Sequence, residues 1–254
     1  MDKIKKIKFG LKLWSINPNL IKEAKKLIKN RIFDYIELMV IPDTQISPYQ
    51  KVKVPYIIHI TSERWGVNIA DKKKDVFNLK AINKCIQWTD KLNAKYLILH
   101  PGFGEIEVAR KFLERINDKR ILIENMPKIG LNDEKMIGYT PEQIKKLIRD
   151  KFSFCLDLNH AIKSAISLKK DYKEYIKDFL KLSPKMFHIS DGTLKNEKDE
   201  HLSIGRGEYD SAFLAGCIQK NNIQYITLET PKVNLRSLNE DIENLKKLKS
   251  ISSL

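Results

Sequence analysis

The sequence alternates eight times between two kinds of segment, and this alternation sets the fold. Short apolar, β-branched runs are separated by longer runs with helical periodicity or by loops. The runs that we predict as strands are 8–15, 35–40, 55–60, 96–100, 120–125, 152–157, 185–190 and 224–229. The predicted helices cover 17–30, 71–92, 105–117, 171–182, 210–220 and 236–249, and a capping box at 140–143 predicts the start of another.

Buried strands that alternate with helices over about 250 residues predict an α/β fold, the (β/α)8 TIM barrel. A doubly wound open sheet is the competing fold, but the first strand is not followed by the G-x-G-x-x-G pattern of that class. The link at 43–54 is short and contains proline, so we expect no full helix there. Because no linker, repeat or low-complexity segment interrupts the pattern, we predict a single TIM-barrel domain over residues 1–254.

Composition restricts the class of protein. Cys85, Cys155 and Cys217 have no paired spacing, which excludes a disulfide framework. No apolar stretch reaches the roughly eighteen residues of a membrane span, and the charged N-terminus lacks the apolar core of a signal peptide. We therefore expect a cytoplasmic protein with no membrane association and no obligate protein partner. The formal net charge of +15 fits either a polyanionic partner or a general lysine bias, because lysine recurs throughout the chain.

Titratable residues are concentrated where the strands are predicted to end. Four of the five histidines lie at or just past such an end, and the fifth lies in the loop after the seventh strand: they are His59, His100, His160, His188 and His201. Glu124, Asp157 and Glu229 end the fifth, sixth and eighth predicted strands, and Asp199 lies two residues before His201. The active sites of TIM barrels form at the C-terminal ends of the strands. We therefore expect these nine side chains to converge at one mouth.

Clustered acids and imidazoles predict metal ions. A carboxylate that points into a barrel must be paired or must bind a metal, and imidazole with carboxylate ligands suits zinc or manganese. Nine candidate ligands exceed the roughly four that one tetrahedral ion takes, so two or three ions are the natural count if one carboxylate bridges. Multi-metal sites are typical of phosphoester hydrolysis. One ion with spare histidines as acid–base groups would suit sugar isomerisation, and salt bridges to rim lysines are the purely structural interpretation.

Three stretches at the strand ends have a distinctive order of residues. They are 155–160 (CLDLNH), 199–207 (DEHLSIGRG) and 228–231 (LETP), and weaker support comes from 100–102 (HPG), 123–125 (IEN) and 188–191 (HISD). Strand end by strand end, the chain resembles the endonuclease IV group of apurinic/apyrimidinic endonucleases, AP endonuclease family 2, within the xylose-isomerase-like TIM-barrel superfamily. The resemblance covers nearly the whole chain.

The resemblance implies a DNA-repair hydrolase with three zinc ions, Mn²⁺ being the alternative metal. A metal-bridging hydroxide would attack the phosphorus 5′ to an abasic site in damaged duplex DNA, and the ions would stabilise the leaving 3′ oxygen. The implied ligand sets are His59, His100 and Glu124 for the first ion; Glu124, Asp157, His188 and Glu229 for the second; and His160, Asp199 and His201 for the third. Glu124, Asp157 and Glu229 would also serve catalysis directly.

The DNA-reading elements of the family match less well than its ligand positions. After the first metal histidine, the endonucleases usually carry a tyrosine and an apolar residue that probe the duplex. Ser62 and Glu63 stand at those places here. Side chains at shifted positions would then supply stacking and phosphate contacts. The predicted DNA contacts are Arg64, Trp65 and Arg206.

The chain also resembles the sugar (phosphate) isomerases and epimerases of the superfamily. It does so in a one-metal ligand set, Glu124, Asp157, His188 and Glu229. In those enzymes an arginine often stands at the position of His201, so the Asp-x-His at 199–201 favours several zinc ions. Other phosphoesterases and a binding-only homologue are the remaining alternatives.

Three further residues near the expected site keep two interpretations each. Glu37 ends the second strand and would either hydrogen-bond a ligand histidine or contact the substrate. Gly205 and Gly207 either let the loop pack tightly around the metal-bearing turn or form an ordinary turn pair.

Overall fold

A computed structural model describes residues 6–221, 224–232 and 234–252. Its strands are parallel, pair in sequence order and close on themselves, because β8 pairs with β1. They are β1 (Lys8–Trp14), β2 (Tyr35–Met39), β3 (Tyr56–His59), β4 (Leu97–Leu99), β5 (Ile121–Glu124), β6 (Ser153–Asp157), β7 (Met186–Ile189) and β8 (Tyr225–Leu228). The predicted (β/α)8 barrel is therefore confirmed.

Helices surround the barrel. They are α1 (Ile21–Lys29), α2 (Ser47–Gln50), α3 (Asp75–Lys91), α4 (Ile106–Glu114), α5 (Pro141–Ile148), α6 (Leu158–Ser167), α7 (Tyr172–Leu180), α8 (Ser211–Lys220) and α9 (Asn239–Ser252). None of the helices in the described ranges is both long enough and apolar enough to cross a membrane. The single-domain assignment of residues 1–254 stays a prediction.

The helix predictions succeed where the sequence carries a terminus signal. Thr140 caps α5, since its Oγ1 accepts from the Gln143 N–H at 3.2 Å, and Gln143 Oε1 accepts from the Gly138 N–H at 2.7 Å. The link between β2 and β3 holds only the single turn of α2, as expected. Helix α6 was not predicted. It begins directly after β6 with Asp157 as its N-cap, so no loop separates strand from helix in the sequence.

The period of two along each strand assigns its side chains to two faces. Side chains on one face pack against the helices and form the main core, while those on the other face point into the barrel interior. Inside the barrel, a separate buried cluster fills the space below the mouth: Tyr35, Ile57, Ile98, Leu122, Cys155, Met186 and Tyr225. Two positions later on these strands, the inward side chains are polar: Glu37, His59, His100, Glu124, Asp157, His188 and Thr227. The alternation of the strands thus stacks one polar layer on one apolar layer.

Tyrosine rings occupy the N-terminal end of the barrel. The Tyr225 ring lies 5.5 Å from the Tyr35 ring and 5.6 Å from the Tyr96 ring, measured between centroids, and both pairs meet edge to face. A Cβ at Gly10 would overlap the Tyr35 ring, so glycine is what leaves room for it. In the described residues, this end of the barrel is packed with side chains, and the cavity that the candidate ligands line lies at the C-terminal mouth.

Candidate metal site

The structure brings together all nine side chains that the sequence predicts as ligands, although they are spread over residues 59–229 of the chain. Those supplied by strand ends or by the residue that follows define the strand cluster: His59, His100, Glu124, Asp157, His188 and Glu229. The others lie on α6 and on the loop between β7 and α8, and define the loop cluster: His160, Asp199 and His201. Ligand atoms within each of the three predicted sets lie within 4.8 Å of one another.

Glu124 lies at the centre of the strand cluster, and its two oxygens face different histidines. Oε2 lies 3.3 Å from Nε2 of His59 and 3.3 Å from Nε2 of His100. Oε1 lies 3.2 Å from Nδ1 of His188 and 3.4 Å from Nδ1 of His160. One carboxylate is thus shared between two groups of potential ligands, which is the geometry that a bridging ligand needs.

His188 connects Glu124 to the other two acids of the strand cluster. Its Nδ1 lies 3.4 Å from Oε1 of Glu229 and 3.9 Å from Oδ2 of Asp157. In the loop cluster, Asp199 Oδ2 pairs with Nε2 of His201 and lies 3.5 Å from Nε2 of His160.

The donor atoms fit divalent metal ions. Four of the buried side-chain atoms that lack a hydrogen-bond partner in the described residues belong to the strand cluster: His59 Nε2, His100 Nε2, Glu124 Oε2 and Asp157 Oδ2. Unpartnered buried polar atoms are rare in native proteins and call for an explanation. Two ligands about 2.05 Å from one tetrahedral zinc would lie about 3.3 Å apart, the spacing found between Glu124 Oε2 and both imidazole nitrogens.

The hydrogen bonds of the histidine rings indicate which nitrogen is free to bind a metal. Nδ1 of His59, His160 and His201 contacts a backbone carbonyl, at 2.7, 2.9 and 2.6 Å respectively, which turns Nε2 toward the site. Nδ1 of His100 lies 3.1 Å from Glu63 Oε2, with the same result. His188 is reversed, because its Nε2 contacts Glu37 Oε2 at 3.0 Å and its Nδ1 faces the acids. Such partners fix the tautomer and orientation of ligand histidines.

Of the two interpretations of Glu37, the contacts favour the first, in which it hydrogen-bonds a candidate ligand histidine. Its side chain is fully buried and accepts from Lys12 Nζ at 2.6 Å, from Thr227 Oγ1 at 2.6 Å and from His188 Nε2. Lys12 Nζ also donates to Oε1 of Glu229. One buried lysine thus joins an orienting acid to a candidate metal ligand.

Sequence reasoning missed Lys12, although a signal was present. Leu11 and Leu13 are buried in the main core, and Lys12 lies between them on the opposite face of β1. A single charged residue at an inward position of a barrel strand has to find a buried partner. That partner is the Glu37–Glu229 pair.

Electrostatics of the metal-free site favour protons on the imidazoles of His100 and His201, whereas burial lowers the pKa of His59. Burial alone would lower the pKa of His100, but Glu124 and Glu63 raise it to about 10. Burial would likewise lower the pKa of His201, but Asp199 and Glu229 raise it to about 9. Burial raises the pKa of Asp157, and the neighbouring Glu124 adds to that rise. Metal ions would therefore have to displace protons from these histidines.

The segment after β3 differs from the expected DNA-reading loop in a specific way. Glu63 turns inward onto His100 instead of facing outward. Arg64 and Trp65 lie on a 3-10 turn, are exposed, and line the cavity above both clusters, whose volume is about 510 Å³. The Trp65 side chain is 40% exposed.

Arg206 lies apart from that cavity. It is exposed and lines a neighbouring groove together with Ser203 and Lys247, and the two cavities share Pro231 in their linings. Its predicted contact with DNA stays a prediction, as do the DNA contacts of Arg64 and Trp65.

Comparison with known proteins identifies the family of the chain. Residues 8–250 match the family model described as xylose isomerase-like TIM barrel. A probable endonuclease 4 of Mycoplasmopsis synoviae is 32% identical over 207 residues, which cover 72% of this chain and 69% of that protein.

Two solved structures have the same fold. Endonuclease IV from Thermus thermophilus superposes with a TM-score of 0.71 at 16% identity, over 96% of this chain and 98% of that one. A D-tagatose 3-epimerase-like protein superposes with a TM-score of 0.73 at 17% identity, over 97% and 99% of the two chains. With a closed barrel of eight strands, six of which present candidate metal ligands at one mouth, the chain belongs to the xylose isomerase-like TIM-barrel family that includes the endonuclease IV proteins.

Proposed function

We propose that this protein is a metal-dependent phosphodiesterase of the endonuclease IV type, which cuts DNA on the 5′ side of abasic sites. The observation that carries the proposal is the loop cluster beside the strand cluster. A one-metal isomerase needs only Glu124 and its partners Asp157, His188 and Glu229. The additional set of His160, Asp199 and His201, with ligand atoms within 4.8 Å of one another, supplies ligands for a further ion. The relatives named as probable endonuclease 4 support the same interpretation.

Three ions fit the donor atoms present. His59, His100 and Glu124 would hold the first, and the acids around His188 would hold the second, with Glu124 shared between them. The loop cluster would hold the third. Zinc suits imidazole and carboxylate ligands, and Mn²⁺ is the alternative. When bound, such ions supply Lewis-acid stabilisation of phosphoryl oxygens and lower the pKa of water.

The side chains of this protein would orient the ions and keep the site dry. Glu37 holds the His188 ring through Nε2, and Glu63 holds the His100 ring through Nδ1. Lys12 neutralises Glu37 and restrains Glu229. Below this layer, apolar side chains such as Leu122 exclude water from the barrel interior. Because this apolar layer has a low dielectric constant, it strengthens the charge interactions of the polar layer next to it.

The cavity offers surfaces suited to a nucleic-acid strand. Trp65 and Ile16 are exposed apolar side chains on its rim, and Arg64 adds a positive charge beside them. Aromatic and apolar rim residues can wedge against bases, while arginine contacts phosphates. The net charge of +15 acts in the same direction by attracting a polyanion.

The decisive experiment combines elemental analysis with a nicking assay. We expect about three zinc ions per purified chain and cleavage of a synthetic duplex that carries one abasic analogue, leaving a 3′ hydroxyl on the 5′ side of the lesion. The same duplex without the lesion is the matched control. The assay is run at low salt, because phosphate contacts weaken steeply with ionic strength. One ion or none, with no rescue by added zinc, would contradict the proposal.

The second candidate is a sugar or sugar-phosphate isomerase or epimerase. It is favoured by one observation, the compact set of Glu124, Asp157, His188 and Glu229, which is complete without the loop cluster. Under this hypothesis, one ion suffices and the duplex is not cut. Turnover of a ketose or its phosphate, together with no nicking, would decide for it.

A further inference from the structure

Helix α6 carries a buried lysine that the proposed function does not use. Lys163 is fully buried, although lysine is almost never buried without a partner. Its three N–H donors each find an acceptor: Nζ donates to the carbonyls of Thr193 and Asn196, at 2.9 Å each, and to Oε2 of Glu200. All three acceptors lie on one segment of the loop between β7 and α8.

The last of these acceptors, Glu200, lies between Asp199 and His201 in the chain, and the other two precede Asp199. Glu200 in turn accepts from the backbone N–H of Thr193 at 2.9 Å, so the segment is closed on itself around the ammonium. Removal of the lysine would leave two carbonyls and one carboxylate without their cation. The position of the two loop ligands therefore depends on a residue of a different element.

The same helix face makes a second contact with the loop. Asn159 lies four residues before Lys163, and positions four apart lie on one face of a helix. Its Nδ2 donates to Oδ1 of Asp199, and its Oδ1 accepts from the Tyr209 hydroxyl at 2.5 Å. His160, the third member of the loop cluster, lies on this first turn as well. One helix thus supplies a ligand and two supports for the other ligands.

The loop itself is held in a conformation that needs support. His201 has a φ of 48°, a left-handed conformation that a side chain with a Cβ rarely adopts. Backbone outliers of this kind persist only where surrounding contacts determine them. Further along the loop, a Cβ at Gly207 would overlap the Gly192 carbonyl oxygen, so the two ends of the loop are in close contact.

We propose that Lys163 is a positioning residue, which holds the Asp199–His201 segment against His160 and thereby determines whether the third ion binds. The inference rests on the proposed function for the existence of that ion. Its structural content, the placement of the segment by a buried ammonium, stands on the contacts above. The Lys163 ammonium donates to none of the nine candidate ligands, so it acts only through the loop.

The test replaces Lys163 with methionine, which keeps most of the stem but removes the three donors. Lys128→Met is the matched control, because Lys128 Nζ donates to the carbonyl of Ser167 at the end of the same helix, 3.3 Å away, rather than to the loop. Metal-free protein is titrated with Co²⁺ while visible absorption and bound-metal content are followed. We expect Lys163→Met to weaken one of three sites by about 10- to 100-fold and to leave the other two unchanged.

A second measurement separates the positioning role from the metal count. Hydrogen exchange of metal-free protein reports the bonds between Asp191 and Leu202, which close the base of the loop. Exchange at residues 193–202 should accelerate in Lys163→Met and not in Lys128→Met. Unchanged exchange in the loop, or three ions bound within about twofold of wild-type affinity, would overturn the inference. Accelerated exchange in a protein whose wild type binds fewer than three ions would support the positioning role and count against the proposed function.

Glu200→Ala removes the other partner of the Lys163–Glu200 contact. It provides a second test in case the buried Lys163 variant fails to fold. Its side chain is 19% exposed, so its truncation leaves the packing of α6 intact. We expect a smaller loss of affinity at the same single site, since Lys163 keeps both carbonyl acceptors. Loss at a strand-cluster site instead would overturn the inference.

Discussion

The two clusters at the mouth differ in what holds them. Members of the strand cluster are fixed by the pairing of the barrel, and the Glu124, His59 and His188 side chains are completely buried. In the loop cluster, the side chains of Asp199 and His201 are 16% and 30% exposed and lie on a segment without regular structure. The strand pairing of the barrel therefore positions one group of candidate ligands, whereas the other group is held by contacts from α6.

The strongest loss should follow a change where the two parts of the strand cluster meet. Glu124→Ala should remove at least two ions and lower nicking on the order of 10³-fold, because its two oxygens face different histidines. Bound-metal analysis and single-turnover nicking measure the two effects. Glu105→Ala, which changes an exposed acid before α4, is the control that should keep all ions. Retention of three ions by Glu124→Ala would contradict the bridging role.

His201→Ala should affect the loop cluster alone. We expect the loss of one ion and a fall in nicking of about 10²- to 10³-fold, while the strand cluster keeps its ions. The control is Lys195→Ala, an exposed residue of the same loop, which should leave the ion count unchanged. If His201→Ala leaves nicking intact, the loop cluster is not part of the reaction and the one-metal alternative gains support.

Glu37→Gln tests the support of the strand cluster. A glutamine offers one oxygen where the carboxylate accepts from Lys12, Thr227 and His188, so the His188 ring loses its fixed orientation. We expect the metal ion that His188 would hold to bind about 10- to 100-fold more weakly. Competition with a chromophoric chelator measures this affinity. An equal loss at the loop cluster would show that the two clusters are not independent.

The mildest change concerns pH dependence. In the metal-free protein, the raised pKa values of His100, about 10, and His201, about 9, keep both rings charged at neutral pH. Metal binding then releases these protons, so affinity should rise by about tenfold per pH unit for each proton displaced, up to those pKa values. Calorimetry in buffers of different ionisation enthalpy counts the protons. Binding without proton release near neutral pH would contradict this charge distribution.

The strand cluster could be predicted from the sequence because its residues follow apolar runs. An acid such as Glu124 or Asp157 after a buried strand is a local pattern, and the fold then determines where it lies. The members of the loop cluster were expected at the same mouth because they follow predicted strands, but their grouping as one ligand set came only from the resemblance of residues 199–207 to a family, since nothing in the local pattern gives a loop its position. The roles of Glu37 and Lys12 depend on pairing between β1, β2 and β8, which no single segment encodes.

Two further features could not be predicted from the sequence, for a different reason. Helix α6 was hidden because Asp157 is at once the last residue of a strand and the cap of the helix. Glu63 stands at an expected recognition position, yet its carboxylate pairs with His100, 37 residues away in the chain. The first feature is a local junction that the strand pattern masks, and the second is a long-range contact that local propensity does not contain.

The packed tyrosine end of the barrel affects how metal ions and substrate would reach the candidate site. Tyr225 meets Tyr35 and Tyr96 edge to face, and Tyr35 and Tyr225 belong to the apolar layer beneath the polar side chains, so ions and substrate would both enter through the C-terminal mouth. A DNA strand bound across that mouth would slow the release of metal ions bound beneath it. Isotope exchange of bound zinc should therefore slow when a non-cleavable abasic duplex is added.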